Sequence, residues 1–131
     1  DLRTLMSAYK FNKNNNIIII DVVVVAKRTT VARFALDTGA TNVILSSKLA
    51  DLIGIERNLK NEEYMFTASK LEKVPIVSIP KITVIFKTAK NVKAMVMDLP
   101  KGSRVDGLLG LSYLKNFKLT VDFKKGEIKL D

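Results

Sequence analysis

Phe34-Ala35-Leu36-Asp37-Thr38-Gly39-Ala40-Thr41 is an apolar run that ends on a carboxylate, a hydroxyl and a glycine. Val31–Leu36 reads as a β-strand, and a strand that stops at Asp37 delivers that carboxyl to one fixed place. Gly39 lets the backbone turn closely enough to offer N–H groups to the carboxylate. Small Ala40 leaves space in front of it for water or a substrate. Asp-Thr-Gly is also ordinary turn chemistry, and average composition yields one such triplet in a chain of this size on the order of a few per cent of the time. Its surroundings add weight: two apolar residues before Asp37, an apolar strand Val43-Ile44-Leu45 after it, and Leu108-Leu109-Gly110 downstream.

Upstream, Ile17–Val25 is β-branched almost throughout, which reads as a strand covered on both faces or running through the middle of a sandwich. Ala26–Thr30 turns the chain into Val31–Leu36. Ser46 or Ser47 caps a small helix with Leu49, Leu52 and Ile53 on one face and Gly54 as its stop. Glu62–Val74 suits a polar-tipped hairpin. Ile76–Phe86 and Val92–Met97 form a further strand pair around Thr88–Asn91. After a Pro100–Arg104 loop, a one-turn helix is expected near Ser112–Asn116. A closing hairpin follows, Lys118–Phe123 and Glu127–Leu130, turning at Lys124-Lys125-Gly126. The expected fold is all-β, with one or two short helices in a single domain over residues 17–131. Residues 1–16, ending in the polar run Lys10–Asn16, read as an arm or linker.

Composition narrows the chemistry. The 131 residues contain no His, Cys or Trp, which removes imidazole bases, thiol nucleophiles, disulfides and thiolate metal sites. Serine triads, papain-like dyads and most zinc hydrolases are excluded, so acid–base work falls to Asp, Glu, Lys or Tyr. The formal charge of +9 raises nucleic-acid binding as a reading. The basic residues are scattered, however, and the 7% aromatics do not interleave with them as a stacking platform requires. No nucleic-acid partner is expected. The longest apolar stretch, Ile17–Val25, is about half of what a spanning helix needs, so no membrane contact is expected from this segment. The chain begins at Asp1 rather than Met. That start is compatible with processing, or with a soluble domain of a membrane-anchored or secreted bacterial protein, and location depends on whatever precedes Asp1.

The order Leu36-Asp-Thr-Gly-Ala-Thr41, apolar strand, short helix, flap-like hairpin, strand pair, Asp106-Gly-Leu-Leu-Gly110-Leu-Ser-Tyr-Leu114 and closing hairpin resembles a retropepsin-like aspartic protease. It is nearest the cellular, bacterial-type branch, and the resemblance covers about Asn16 to Leu130. It implies a closed β-barrel or sandwich in which each chain supplies one catalytic Asp, so that the active unit is a homodimer acting on an extended peptide or protein without cofactor or metal. Asp37 is the catalytic residue on this reading. Thr38 braces the partner's loop, Gly39 holds substrate backbone, and Ala40 and Thr41 complete the loop and dimer brace. Leu108, Leu109 and Gly110 pack beneath it. Thr67, Ala68, Ser69 and Lys70 form the flap tip, and Val43, Ile44 and Leu109 are apolar pocket walls. Two departures stand out. Viral members carry Asp at the position of Thr41 and Arg at that of Leu111, and no glycine lies between Gly54 and Gly102 to make a flexible flap tip.

Other constellations are less apt. Ser46-Ser47-Lys48 places a hydroxyl next to an amine, but adjacent residues rarely face one another, and helix capping explains the serines better. Asp98, Asp106 and Asp122 match no metal-loop spacing; Asp98 and Asp122 read as loop or surface residues, and Asp106 as a local hydrogen-bonding group. Glu62-Glu63 reads as a solvated edge. Two further functions stay open at this level: a catalytically silent retropepsin-like dimerisation or peptide-binding module, and a basic barrel that binds RNA or DNA.

Overall fold

The computed structural model describes residues 8–58, 60–66 and 70–131. Strand β1 is Ala8–Lys10, β2 Ile19–Val25, β3 Thr29–Leu36 and β4 Val43–Leu45; helix α1, Ser47–Ile53, follows. Then come β5 (Glu62–Phe66), β6 (Leu71–Val84), β7 (Lys87–Val96), β8 (Gly107–Leu109), helix α2 (Leu111–Leu114), β9 (Leu119–Asp122) and β10 (Glu127–Leu130). The strand order β2-β3-β8-β4-β7-β6 closes on itself through a β2–β6 pairing, giving a six-stranded barrel, with β5 attached outside on β6. A three-stranded sheet, β1-β10-β9, adds Ile128 and Leu130 to the barrel core. Part of the expected N-terminal arm therefore forms β1, paired with β10 from Ala8↔Lys129 to Lys10↔Glu127.

The barrel wall follows from period-two alternation. In β2, Ile20, Val22 and Val24 point inward and are buried. Their neighbours Ile19, Val23 and Val25 are only half-buried, and Asp21 is exposed. The β-branched run is thus one wall of a barrel rather than a strand covered equally on both faces. Its outer side stays apolar because β-branched side chains suit a pleated surface whichever way they point. Phe34 and Tyr113 are among the largest fully buried side chains, each contributing about 2–3 kcal/mol of burial. The Tyr113 hydroxyl donates to the Lys87 carbonyl at 2.6 Å. Burial pushes that hydroxyl well above its usual pKa, so it stays protonated and keeps donating.

Several local expectations are corrected. The β6–β7 turn is Ile85-Phe86, both with positive φ (48° and 64°), and Thr88, Ala89, Lys90 and Asn91 lie within β7. The hairpin expected at Glu62–Val74 and the strand expected at Ile76–Phe86 share one 14-residue strand, β6. Pro75 and Pro80 do not interrupt it. Pro75 pairs with Glu62 where β5 begins, and Pro80 sits where the ladder to β7 passes from Ile79↔Val92 to Lys81↔Lys90, so neither is required to donate in the ladder. Helix α1 is capped by Ser46, whose hydroxyl accepts from the Leu49 N–H at 3.1 Å, and stops at Gly54 with φ 78°. Leu52, expected on its buried face, is 56% exposed. The one-turn helix begins one residue earlier than expected, at Leu111.

Candidate active site

Strand β8 is three residues long and threads between β3 and β4. It runs parallel to β3 (Phe34↔Gly107, Leu36↔Leu109) and antiparallel to β4 (Ile44↔Leu108). Gly107 makes this possible: a Cβ there would meet the Phe34 ring at 2.7 Å and overlap the Ile44 carbonyl oxygen. Asp106 anchors the start of β8, its N–H donating to the Arg33 carbonyl at 2.7 Å and its carboxylate accepting the Arg33 N–H at 3.0 Å. This is the local hydrogen-bonding role expected for Asp106.

Asp37 follows the last residue of β3, half-buried, with its N–H donating to the Leu109 carbonyl at 3.1 Å. Its Oδ1 accepts the Gly39 N–H at 3.0 Å, the contact that the glycine was expected to provide. Among the described residues no hydrogen bond reaches Oδ2. The Ala40 N–H closes the turn onto the Asp37 carbonyl at 3.2 Å. Thr38, Gly39 and Thr41 are exposed, and Ala40 is half-buried. The carboxyl therefore stands at an open rim, held from behind by backbone.

Strand alternation separates the neighbouring residues. Val43 and Leu109 are fully buried in the main core, so they support the loop and do not line a pocket. Ile44 and Leu108, register partners, turn the other way into a second apolar cluster with Val74 and Met95, against which Met65, Ile76, Met97 and Leu99 pack. A cleft of about 350 Å³ opens above it, lined by Gly39–Asn42, Ile44, Glu63, Tyr64, Met65 and Met95. The Asp37 loop and the β5–β6 hairpin thus face each other across an apolar floor. Thr67, Ala68 and Ser69, the expected flap tip, lie outside the described residues; Lys70 is exposed just before β6. A larger cleft, about 750 Å³ between residues 54–63 and β6, is lined by none of the Asp37-loop residues.

Sequence reasoning missed Asn42, Glu63, Tyr64, Met65 and Met95, because neither a methionine nor a flap residue carries a local motif. It also missed Ser112, whose hydroxyl accepts the Val43 N–H at 2.9 Å and donates to the Lys93 carbonyl at 2.7 Å. The available signal was the one serine in the mostly apolar run Leu108–Leu114. The segments that contain Thr41 and Leu111 run together through backbone: Leu111 N–H donates to the Ala40 carbonyl at 2.8 Å and Ser112 N–H to that of Thr41 at 3.0 Å. Glu63 pairs with Lys93 at 2.7 Å at the cleft edge. Among the described residues no three acidic groups gather to hold a metal ion, and no helix is long and apolar enough to cross a membrane.

The family model described as "gag-polyprotein putative aspartyl protease" matches residues 23–116, from β2 through α2. The chain belongs to this aspartyl protease family. Two solved structures support the retropepsin-like fold. A retropepsin-like aspartic protease from Rickettsia conorii is 24% identical with a TM-score of 0.65, the alignment covering 94% of this chain and 86% of that one. The retroviral protease-like domain of Ddi1 from Leishmania major is 13% identical at the same TM-score, 0.65, covering 90% of each chain. No match was found among curated proteins. In this retropepsin-like chain the Asp-Thr-Gly triplet occurs once, at the rim just described.

Proposed function

We propose that the protein is an aspartic endopeptidase whose active unit is a homodimer, with Asp37 from each chain forming the catalytic dyad. The observation that carries this reading is the placement of the single Asp-Thr-Gly. Its carboxyl is fixed by β3, β8 and the Gly39 N–H and stands beside exposed loop residues rather than inside a complete cleft. Within one chain Asp106 is engaged with Arg33 and is no second acid for Asp37. A two-fold axis through the exposed rim supplies the second carboxyl from an identical chain.

Two carboxyls at hydrogen-bonding distance hold one proton between them, because both cannot ionise cheaply. The ionised member takes a proton from a water, which attacks the peptide carbonyl. The protonated member hydrogen-bonds the carbonyl oxygen as negative charge develops there. Transfer of the proton to the leaving amine nitrogen then breaks the C–N bond. Ile44, Met65 and Met95 supply an apolar wall for substrate side chains, and the β5–β6 hairpin covers an extended peptide.

Asp37→Asn tests this directly. We expect peptide cleavage to fall by roughly 10³-fold or more with the fold retained by circular dichroism, and the wild-type rate to peak in the acid range and decline on both sides. A variant with full activity rules the reading out. Wild-type protein that binds peptides over long incubation without cutting them assigns the fold to a silent binding module instead.

A further inference from the structure

The loop carrying Asp37 has two limbs, and they are held differently. Among the described residues, the upstream limb is held by backbone alone: Leu36 N–H donates to the Ile18 carbonyl at 2.8 Å and Asp37 N–H to that of Leu109 at 3.1 Å. The downstream limb, residues 40–43, is held from α2. Leu111 N–H and Ser112 N–H take the carbonyls of Ala40 and Thr41. The Ser112 hydroxyl then inserts between the Val43 N–H, at the start of β4, and the Lys93 carbonyl of β7. A serine hydroxyl has one proton to donate and lone pairs to accept, and here both capacities are used to tie two strands to one helix. Among the described residues, this is the one side-chain hydrogen bond made by the backbone of residues 40–43.

Helix α2 is a firm base for such a tie. Tyr113, fully buried, fixes it to the β6–β7 turn through Lys87 and packs on Phe117 with ring centroids 5.1 Å apart. Gly110, lacking a Cβ, lets the start of α2 approach the loop closely. A hydroxyl mounted on a seated element holds its partner more precisely than a loop residue does.

We propose that Ser112 is a positioning residue for the Asp37 loop: its hydroxyl sets where β4 begins and, through residues 40–42, where Gly39 and the Asp37 carboxyl stand. The proposal rests on the proteolytic reading above. Without the hydroxyl, the start of β4 either closes on β7 or admits water between them. Either change moves the downstream limb, and small misplacements of a reacting group are costly to the chemical step.

The test uses the full chain, with a peptide cleaved by the wild type and ¹⁵N amide spectra of each variant. Ser112→Ala is expected to lower kcat about tenfold to hundredfold with KM within about twofold and to shift the Gly39 and Val43 amide signals. Ser112→Thr, which keeps the hydroxyl, restores both. Unchanged kcat and unchanged Gly39 amide in Ser112→Ala overturn the proposal, as do equal losses in the alanine and threonine variants. Should the alanine variant not fold, Ser112→Cys fills the site with a weaker hydrogen-bonding group; an intermediate kcat supports the assignment and a wild-type kcat overturns it. A wild type that cuts no peptide defeats the proteolytic reading alone, and the Gly39 and Val43 amides then decide the role of Ser112.

Discussion

At Gly110 the chain passes so near the loop of Asp37 that a Cβ would meet the Ala40 carbonyl oxygen at 2.7 Å and overlap that of Asn42. Its φ of −95° is available to any residue, so the requirement is for space rather than for backbone freedom. Gly102 is the opposite case, with φ +85° and no atom within 4 Å of where a Cβ would stand. Gly110→Ala is therefore expected to destabilise the fold by about 3 kcal/mol in denaturant unfolding, and Gly102→Ala by only about 1 kcal/mol. Equal losses would contradict the steric account. At this scale the Asp37–Gly39 contact was legible from the triplet, whereas Leu108, expected beneath the loop with Leu109 and Gly110, packs instead against the Ile44 cluster. The inward turn of Val43 was not legible. Val43 and Ile44 are alike in sequence, and only the pairing of β4 with β8 decides which one faces the cleft.

Among the elements, the β6–β7 hairpin departs furthest from its sequence signal. Turns with positive φ at both central residues favour Asn and Gly, yet Ile85 and Phe86 occupy them. Ile85 packs against the core, which explains its retention, whereas Phe86 is 69% exposed and carries the strain without comparable burial. Phe86→Gly is expected to stabilise the protein by about 0.5–1 kcal/mol, raising Tm by roughly 3 °C; a lower Tm would show that Phe86 contributes packing the account omits. The continuity of β6 was hidden for a related reason. Pro75 falls between the two segments expected from the sequence, and only the positions of the neighbouring strands show that neither it nor Pro80 is asked for a ladder hydrogen bond. Strands β3 and β4 and the β9–β10 hairpin were legible because each is an apolar run bounded by turn residues, whereas β8, three residues long, showed in the sequence only as the apolar step Leu108-Leu109-Gly110.

For the whole molecule, the barrel brings one carboxyl, one apolar floor and one hairpin to a single rim, and leaves that rim open. The cleft beside the Asp37 loop, about 350 Å³, is walled by that loop on one side and by β5 on the other. The all-β class and the family were legible in the order of motifs along the chain. The identity of the cleft walls was not, since Met65 and Met95 come together only through β5, β6 and β7. Subunit mixing separates a catalytic unit built from one Asp37 of each of two chains from a catalytic monomer. Wild type and Asp37→Asn are equilibrated in varying ratio at constant total protein, and cleavage is measured. A dyad shared between chains predicts activity proportional to the square of the wild-type fraction, about one quarter at equal mixing; activity of about one half, in linear proportion to the wild-type fraction, would contradict it.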